Sequence, residues 1–153
     1  MYVEYAYIFA LVANLVWFSM GFHYFSFKNN AAAKVAIPKH LRDSPLFKTH
    51  SVSIRFLGGM NGAWALMCLI LLYLALTGSV LFSAPIERSI ILFIIASAHF
   101  SQFYFNVPIH RNGGRQGDAY WNVTSGPMLM IFVVDALETV LNVGIGGYLI
   151  VAS

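Results

Sequence analysis

Two carboxylates and one histidine are the residues of this chain whose types and spacing could do chemistry. Asp135 and Glu138 lie within a mostly apolar stretch, 127–152. A charged side chain at the centre of a bilayer costs about 2.5–3.5 kcal/mol, so such residues almost always face a bundle interior, a cavity or a partner. Together with His99 they could donate and accept protons or act as ligands. We therefore take Asp135, Glu138 and His99 as the candidate catalytic residues.

These residues belong to polar stripes on two apolar segments. The stripe on the third segment comprises His99, Gln102, Asn106 and His110, and the stripe on the fourth comprises Asp135, Glu138 and Asn142. At 100° per residue, the first stripe covers an arc of about 80° on a helix surface. Two such stripes cannot both face lipid, so we expect them to face each other. His99 and Asp135 each lie on the order of 10–15 Å from the cytoplasmic end of their spans, and we therefore expect a hydrogen bond between them.

Other polar residues in the apolar segments are candidates for lining a pocket beside this cluster: Arg55, Asn61, Gln102, Asn106 and His23. Asn14 is nine residues from His23, which puts the two on opposite faces of one helix, so at most one of them joins the cluster. The alternative is structural. Amides between membrane helices commonly only stabilise packing, by about 0.6 kcal/mol each, and an arginine near a helix end anchors it at the interface.

Metal binding and proton transfer both remain open from these residue types. Nitrogen and oxygen ligands from His99, Asp135, Glu138 and either His23 or His110 suit iron, zinc or copper. No single helix carries the paired ligand motif of bundle metal sites, so the ligands would have to converge from separate helices. Buried Asp, Glu and His chains also mark proton relays, but one polar track without an inverted repeat provides no second gate. The cofactor is left unassigned.

Composition determines the class of protein that must position these residues. Of 153 residues, 59% are hydrophobic and only 10% charged. Soluble globular domains have about 25% charged residues, so that class is excluded. Four segments, approximately 3–27, 52–77, 87–109 and 127–152, have the roughly 20 apolar residues that a membrane span needs. The sequence predicts an all-α polytopic protein, a four-transmembrane-helix bundle that forms one domain over 1–153.

The basic residues lie between particular spans. The first connection carries Lys28, Lys34, Lys39, Arg42 and Lys48, the third carries Arg111 and Arg115, and the second carries only Arg88. The positive-inside rule then predicts cytoplasmic basic loops and both termini on the outer, periplasmic or lumenal side, in a membrane such as the bacterial inner membrane. Because the basic residues flank spans, the net charge of +3 does not indicate nucleic-acid binding.

A pair of glycines in the second span, Gly58 and Gly62, has the four-residue spacing that lets two helices approach closely. This face either contacts another subunit or packs inside the bundle.

Two short motifs resemble those of a known family. Ser44-Pro45-Leu46-Phe47 precedes the second span, and Phe105-Asn106-Val107-Pro108-Ile109 closes the third. Both motifs, with the length and order of spans, resemble the anthrone-oxygenase-like family of small four-helix membrane proteins, although His110 stands where that family usually has Asn. The resemblance implies a membrane pocket for a flat polyketide-like or other lipophilic compound, with no known cofactor.

Three functions are compatible with these features. The leading prediction is an accessory or structural subunit that packs into a larger membrane complex or a homo-oligomer, since the chain is small and lacks a soluble domain. The alternative is an oxygenase-like membrane enzyme, or a binding protein, for a lipophilic small molecule. The third is proton or ion translocation. Expected partners are membrane lipid, other membrane subunits or further copies of the chain, and a lipophilic molecule.

Overall fold

A computed structural model describes residues 2–117 and 119–152 and is almost entirely helical. Its helices are α1 (Tyr2–Phe27), α2 (Asn29–Ala36), α3 (Pro45–Leu76), α4 (Pro85–Arg111) and α5 (Gly126–Val151). A 3₁₀ turn occupies Lys39–Leu41, and a two-stranded antiparallel hairpin, β1 (Arg115–Gln116) and β2 (Ala119–Tyr120), lies between α4 and α5.

The four long helices α1, α3, α4 and α5 are each long and apolar enough to cross a membrane. At 1.5 Å per residue, a helix of 26 residues such as α1 is about 39 Å long. The prediction of an all-helical protein with four candidate spans is thus confirmed. α3, which contains the second predicted span, begins at Pro45, well before the expected start at 52, because Ser44 is extended and Pro45 occupies the first helical turn.

The long helices pack as two pairs. α1 lies along α3, α4 lies along α5, and the pairs meet mainly through α1 and α5. Apolar side chains from all four helices fill the centre, including Leu11, Cys68, Leu92, Ile95 and Leu149, each fully buried. This arrangement creates two ends, which we name by their contents. The loop end is where α1 and α4 end and α3 and α5 begin, and the terminal end is the opposite one.

The two glycines of the second span face α1 within the same chain. A Cβ added at Gly58 would lie 2.2 Å from Ser26 Oγ, and one added at Gly62 would lie 2.9 Å from the ring of Phe22. Glycine at these positions therefore permits the close approach of α1 and α3. Of the two possibilities left open by the sequence, packing inside the bundle is the one observed.

Short-range contacts hold α2 against the loop end. The Asn29 side-chain amide donates to both the carbonyl and the hydroxyl oxygen of Ser51, at 2.8 and 3.1 Å. Arg42 donates to the carbonyl oxygens of Ile37 and Lys34, which are free at the end of the short helix. α2 thereby covers the start of α3.

Arg88 joins two helices at the terminal end. Its guanidinium donates to both carboxylate oxygens of Glu4, at 2.5 and 3.2 Å, and lies 4.7 Å from the ring centre of Tyr7. Its Nε also donates to the carbonyl of Phe82, a residue with a left-handed φ of 54°. The one basic residue that the sequence places between the second and third spans is therefore paired with a carboxylate and only 8% exposed.

Candidate functional site

A chain of hydrogen bonds connects α1, α4 and α5 at mid-height in the bundle. His99, at the middle of α4, contacts Asp135 Oδ1 through Nδ1 at 2.9 Å and Asn14 Oδ1 through Nε2 at 3.0 Å. Asn14 in turn contacts Asn142. All four side chains are at most 2% exposed. We call these four residues the polar network. The hydrogen bond predicted between His99 and Asp135 is part of it.

The orientation of the Asn14 amide is determined by its own helix. Its Nδ2 lies 2.7 Å from the carbonyl oxygen of Ala10, one turn earlier, and 2.9 Å from Asn142 Oδ1. Exchanging nitrogen and oxygen would place Oδ1 against both of these acceptors, which is repulsive. Asn14 Oδ1 is therefore the atom that faces His99.

Asn142 is oriented in the same way on α5. Its Nδ2 donates to the carbonyl oxygen of Glu138 at 2.7 Å, so its Oδ1 faces the Asn14 amide. Its Nδ2 also lies 3.3 Å from Asn14 Oδ1. The two asparagines thus donate to each other, and each amide has a fixed orientation because its nitrogen also donates to the carbonyl four residues earlier.

The orientation of the Asn14 amide determines how many protons the His99–Asp135 pair holds. Both ring nitrogens of His99 face oxygen atoms, and Asn14 Oδ1 can only accept, so His99 Nε2 carries a proton. The contact between His99 Nδ1 and Asp135 Oδ1 needs one more proton, on either atom. The pair is then an imidazolium beside a carboxylate or a neutral imidazole beside a carboxylic acid. In both cases its net charge is zero, which is the state that an apolar interior favours.

Asp135 connects this network to an aromatic pair on α1. Its Oδ1 also faces Trp17 Nε1, at 3.4 Å. Phe18, the next residue, stacks on the His99 ring with centroids 5.0 Å apart and an interplanar angle of 17°. The second oxygen, Asp135 Oδ2, is buried and has no hydrogen-bond partner among the described residues. Asp135 and His99 therefore contact Trp17 and Phe18, respectively.

Glu138 departs from the expectation of two carboxylates in one buried cluster. Asp135 is 2% exposed, whereas Glu138 is only partly buried. Three residues correspond to 300° of helix rotation, so Glu138 is turned about 60° away from Asp135. Its Oε2 contacts the network through the Asn142 amide at 3.4 Å. The buried cluster therefore contains one carboxylate, Asp135, which contacts His99, where the sequence predicted two carboxylates.

The histidines do not assemble into a metal centre. Within residues 2–117 and 119–152, no three His, Cys, Asp or Glu side chains come close enough to share an ion. His110 instead stacks on Phe132, with ring centroids 5.0 Å apart. His23 lies nearer the loop end, beside Phe27. Of the metal ligands proposed from the sequence, the structure brings together His99 and Asp135, with Glu138 at the edge.

A cavity of about 370 Å³ lies between the loop end and the polar network. It receives residues from all four long helices and falls within the range of roughly 300–1,000 Å³ that is typical of ligand sites. Trp17 and Phe18 line its inner part, while Tyr24 and Pro127 line the part nearest the loop end. We call this space the loop-end cavity.

Three of the residues predicted to line a pocket, His23, Asn61 and Gln102, line the loop-end cavity. Arg55 and Asn106 do not. Arg55 is exposed on α3, and the Asn106 amide donates to the carbonyl oxygen of Gln102 on its own helix. On α4, Gln102 is turned about 60° from His99, within the arc of the predicted stripe. Gln102 lines the cavity, whereas His99 belongs to the polar network.

Sequence reasoning gave no role to the aromatic pair Trp17 and Phe18. A signal for them does exist, because Asn14 is the one amide within the long apolar run of α1. Residues three and four positions later on a helix share its face. Those positions are Trp17 and Phe18, which pack beside the network.

A second depression, of about 420 Å³, lies on the surface of α4 near its end. It includes Phe105 and Pro108 of the second family-like motif, but it is lined from one helix only, with Asn112 just beyond that helix, and contains no member of the polar network.

Comparisons with protein-family models, with curated proteins and with solved structures find no match to this chain. The resemblance to anthrone-oxygenase-like proteins therefore depends on its two motifs and the span layout alone.

Proposed function

We propose that this multi-pass membrane protein binds a lipophilic small molecule in the loop-end cavity. The observation that carries the proposal is the position of this cavity, which is lined by four helices and bounded at its inner part by the rings of Trp17 and Phe18. Cavities of this size with aromatic walls and few polar groups are the usual form of small-molecule sites.

The polar network supports binding more directly than it supports catalysis. Both ring nitrogens of His99 are engaged by Asp135 and Asn14, so neither faces the cavity. The network instead holds Trp17 and Phe18 in place. A rigid aromatic wall needs no ordering when the ligand arrives, which favours affinity. Catalytic roles for His99, Asp135 and Glu138 stay predictions.

Native mass spectrometry of the protein extracted from its own membrane tests this proposal. We expect one small molecule bound per chain. Ile131→Trp places a large side chain in the cavity wall and should eliminate the bound mass. The matched control is Val140→Trp on the same helix, where the side chain is 71% exposed, and it should retain the ligand. A bound mass that persists unchanged in Ile131→Trp would contradict the proposal.

The accessory-subunit hypothesis is the second candidate, and it has its own supporting observation. A Cβ added at Gly59 or Gly144 would meet no atom within 4 Å. These positions on α3 and α5 offer flat backbone to a neighbouring helix, the surface that membrane helices use to associate. In the same mass spectra, other protein chains at a fixed ratio, without a small molecule, would favour this hypothesis.

We also propose that the loop end faces the cytoplasm. Arg88, the basic residue at the other end, is neutralised by Glu4, whereas Lys28, Lys34 and Lys48 are exposed at the loop end. The positive-inside rule counts basic residues, and Arg88 is the only one that the described residues place at the terminal end. Labelling of a single cysteine introduced at Lys34, in a Cys68→Ala background, by a membrane-impermeant maleimide should require permeabilised cells. Labelling of intact cells would reverse the orientation.

A further inference from the structure

The chemistry of the cavity wall restricts the charge of its ligand. None of the residues that line the loop-end cavity is Asp, Glu, Lys or Arg. The one histidine of the lining, His23, is exposed near the loop end, so a charged group transferred to the inner part of the cavity loses its hydration without gaining a partner of opposite charge, which is strongly unfavourable. The wall therefore favours an uncharged ligand.

Asn61 restricts the ligand further, because one half of its amide is already occupied. Its Nδ2 donates to the carbonyl oxygen of Leu57, 2.9 Å away on the same helix. Its Oδ1 makes no hydrogen bond among the described residues and can only accept. This oxygen lies directly over Gly21, where an added Cβ would be 2.5 Å from it. Asn61 and Gly21 both line the cavity, so this unbonded acceptor lies at the cavity wall, and a ligand that bonds to it must supply the donor.

Gln102 supplies the complementary group from α4. Its side-chain amide has no hydrogen-bond partner in the part of the chain that the structure describes, so its donor and acceptor are both available. A carbonyl or ether oxygen on a ligand could accept from Gln102 but would leave Asn61 Oδ1 without a donor. A hydroxyl group both donates and accepts, and so it matches both residues.

We propose that the loop-end cavity takes an uncharged lipophile bearing a hydroxyl group, a lipophilic alcohol, whose hydroxyl is bound by Asn61 and Gln102 while its apolar body lies against Trp17 and Phe18. This inference rests on the proposed function, since it specifies the ligand of the same cavity. It specifies that the hydroxyl is the recognised group of the ligand, and it assigns specificity to the side-chain amides of Asn61 and Gln102.

Quenching of Trp17 fluorescence by brominated probes tests the inference. The protein carries Trp64→Phe and Trp121→Phe, so that Trp17 alone reports, and it is reconstituted in lipid nanodiscs. The probes are bromoundecanol, bromoundecane and bromoundecanoic acid, each brominated at the terminal carbon. We expect the alcohol to quench at about tenfold lower concentration than the alkane, the ratio that corresponds to about 1.4 kcal/mol of hydrogen bonding. A protein that retains only Trp121, which does not line the cavity, measures partition of each probe into lipid.

Two substitutions assign the effect to the amides. Asn61→Leu and Gln102→Leu should each remove the preference for the alcohol, so that the alcohol and bromoundecane quench at similar concentrations. Both proteins should fold, because the described Asn61 side chain bonds only within its own helix and that of Gln102 makes no bond. Gly21→Ala provides a third variant, since the new methyl group would displace Asn61 Oδ1. It should weaken the alcohol preference as well.

The outcomes separate this inference from the proposed function. Equal quenching of Trp17 by all three probes, above that of the Trp121 control, would overturn the hydroxyl inference and leave the binding function standing. Preference for the acid would overturn it too, because an anion would then be the recognised group. Trp17 quenching no greater than the Trp121 control for every probe would overturn the proposed function itself.

Discussion

The contact between His99 and Asp135 should have a measurable coupling energy. His99→Phe keeps a ring stacked on Phe18 and removes both ring nitrogens from the network. Asp135→Val removes the carboxylate and keeps a branched side chain in the space. The coupling energy from these two variants and the double variant isolates the contact, because effects outside it cancel in the cycle.

The expected magnitude follows from burial and from the proton count. The two side chains are 1% and 2% exposed, and their atoms are 2.9 Å apart. Neutral hydrogen bonds between membrane helices contribute about 0.6 kcal/mol on average and about 1.7 kcal/mol at most. Hydrogen bonds to charged groups contribute about 1.5–3 kcal/mol. Because this pair shares a proton between an acid and a base, we expect a coupling of about 1.5–3 kcal/mol, in the range of charge-assisted bonds.

A neutral bond between the same two helices provides the control. The Ser89 hydroxyl on α4 lies 2.9 Å from the carbonyl oxygen of Gly146 on α5 and 2.8 Å from that of Pro85 on its own helix, so the two acceptors share its one proton, and Ser89 is fully buried. Ser89→Ala should therefore lower the free energy of unfolding by about 0.6 kcal/mol. Both hydrogen bonds are buried and join α4 to α5, but only the one between His99 and Asp135 shares a proton between an acid and a base.

The assay is reversible unfolding in mixed micelles, with the mole fraction of dodecyl sulfate raised and helix content followed by circular dichroism. Each single variant of the pair should lose about 3–5 kcal/mol, the usual result when one partner of a buried ion pair is removed. A coupling energy no larger than the effect of Ser89→Ala would refute the reasoning. It would show that His99 and Asp135 act as an ordinary neutral contact.

Two further predictions concern the ends of the bundle. Gly58→Ala should lower the free energy of unfolding by about 1–3 kcal/mol, because the new Cβ would lie 2.2 Å from Ser26 Oγ. Gly59→Ala, which has open space around it, should leave this free energy nearly unchanged or raise it. Equal effects of the two substitutions in the same assay would contradict the packing of α1 on α3. Arg88→Met should be more destabilising than Glu4→Gln, because the Arg88 side chain is 10% exposed and that of Glu4 is 40% exposed. A larger effect of Glu4→Gln would contradict the role of Arg88 in joining the two helices.

Part of the candidate site could be predicted because it depends on local spacing. His99 and Asp135 lie at similar distances from the helix ends that meet at the loop end, and an isolated carboxylate in an apolar segment must find a partner. The depth of the two residues in the membrane and the free-energy cost of an unpaired carboxylate there were together sufficient to predict the hydrogen bond that the structure contains. Asn14 could not be assigned in this way, because its depth alone does not show which neighbour it faces.

The sequence by itself determined the membrane class, the four spans and the unequal distribution of basic residues. Each depends on local composition, since about 20 apolar residues suffice to form a span whatever surrounds them. Only the tertiary structure decided that α1 pairs with α3, that Gly58 packs inside the chain and that Arg88 binds Glu4. It also decided that Gln102 lines the cavity while His99 lies in the buried network. The physical reason is that lipid is as apolar as the interior of the bundle. The faces of each helix that contact lipid and neighbouring helices then carry similar residues, so helix rotation and choice of neighbour follow from side-chain fit across the whole bundle.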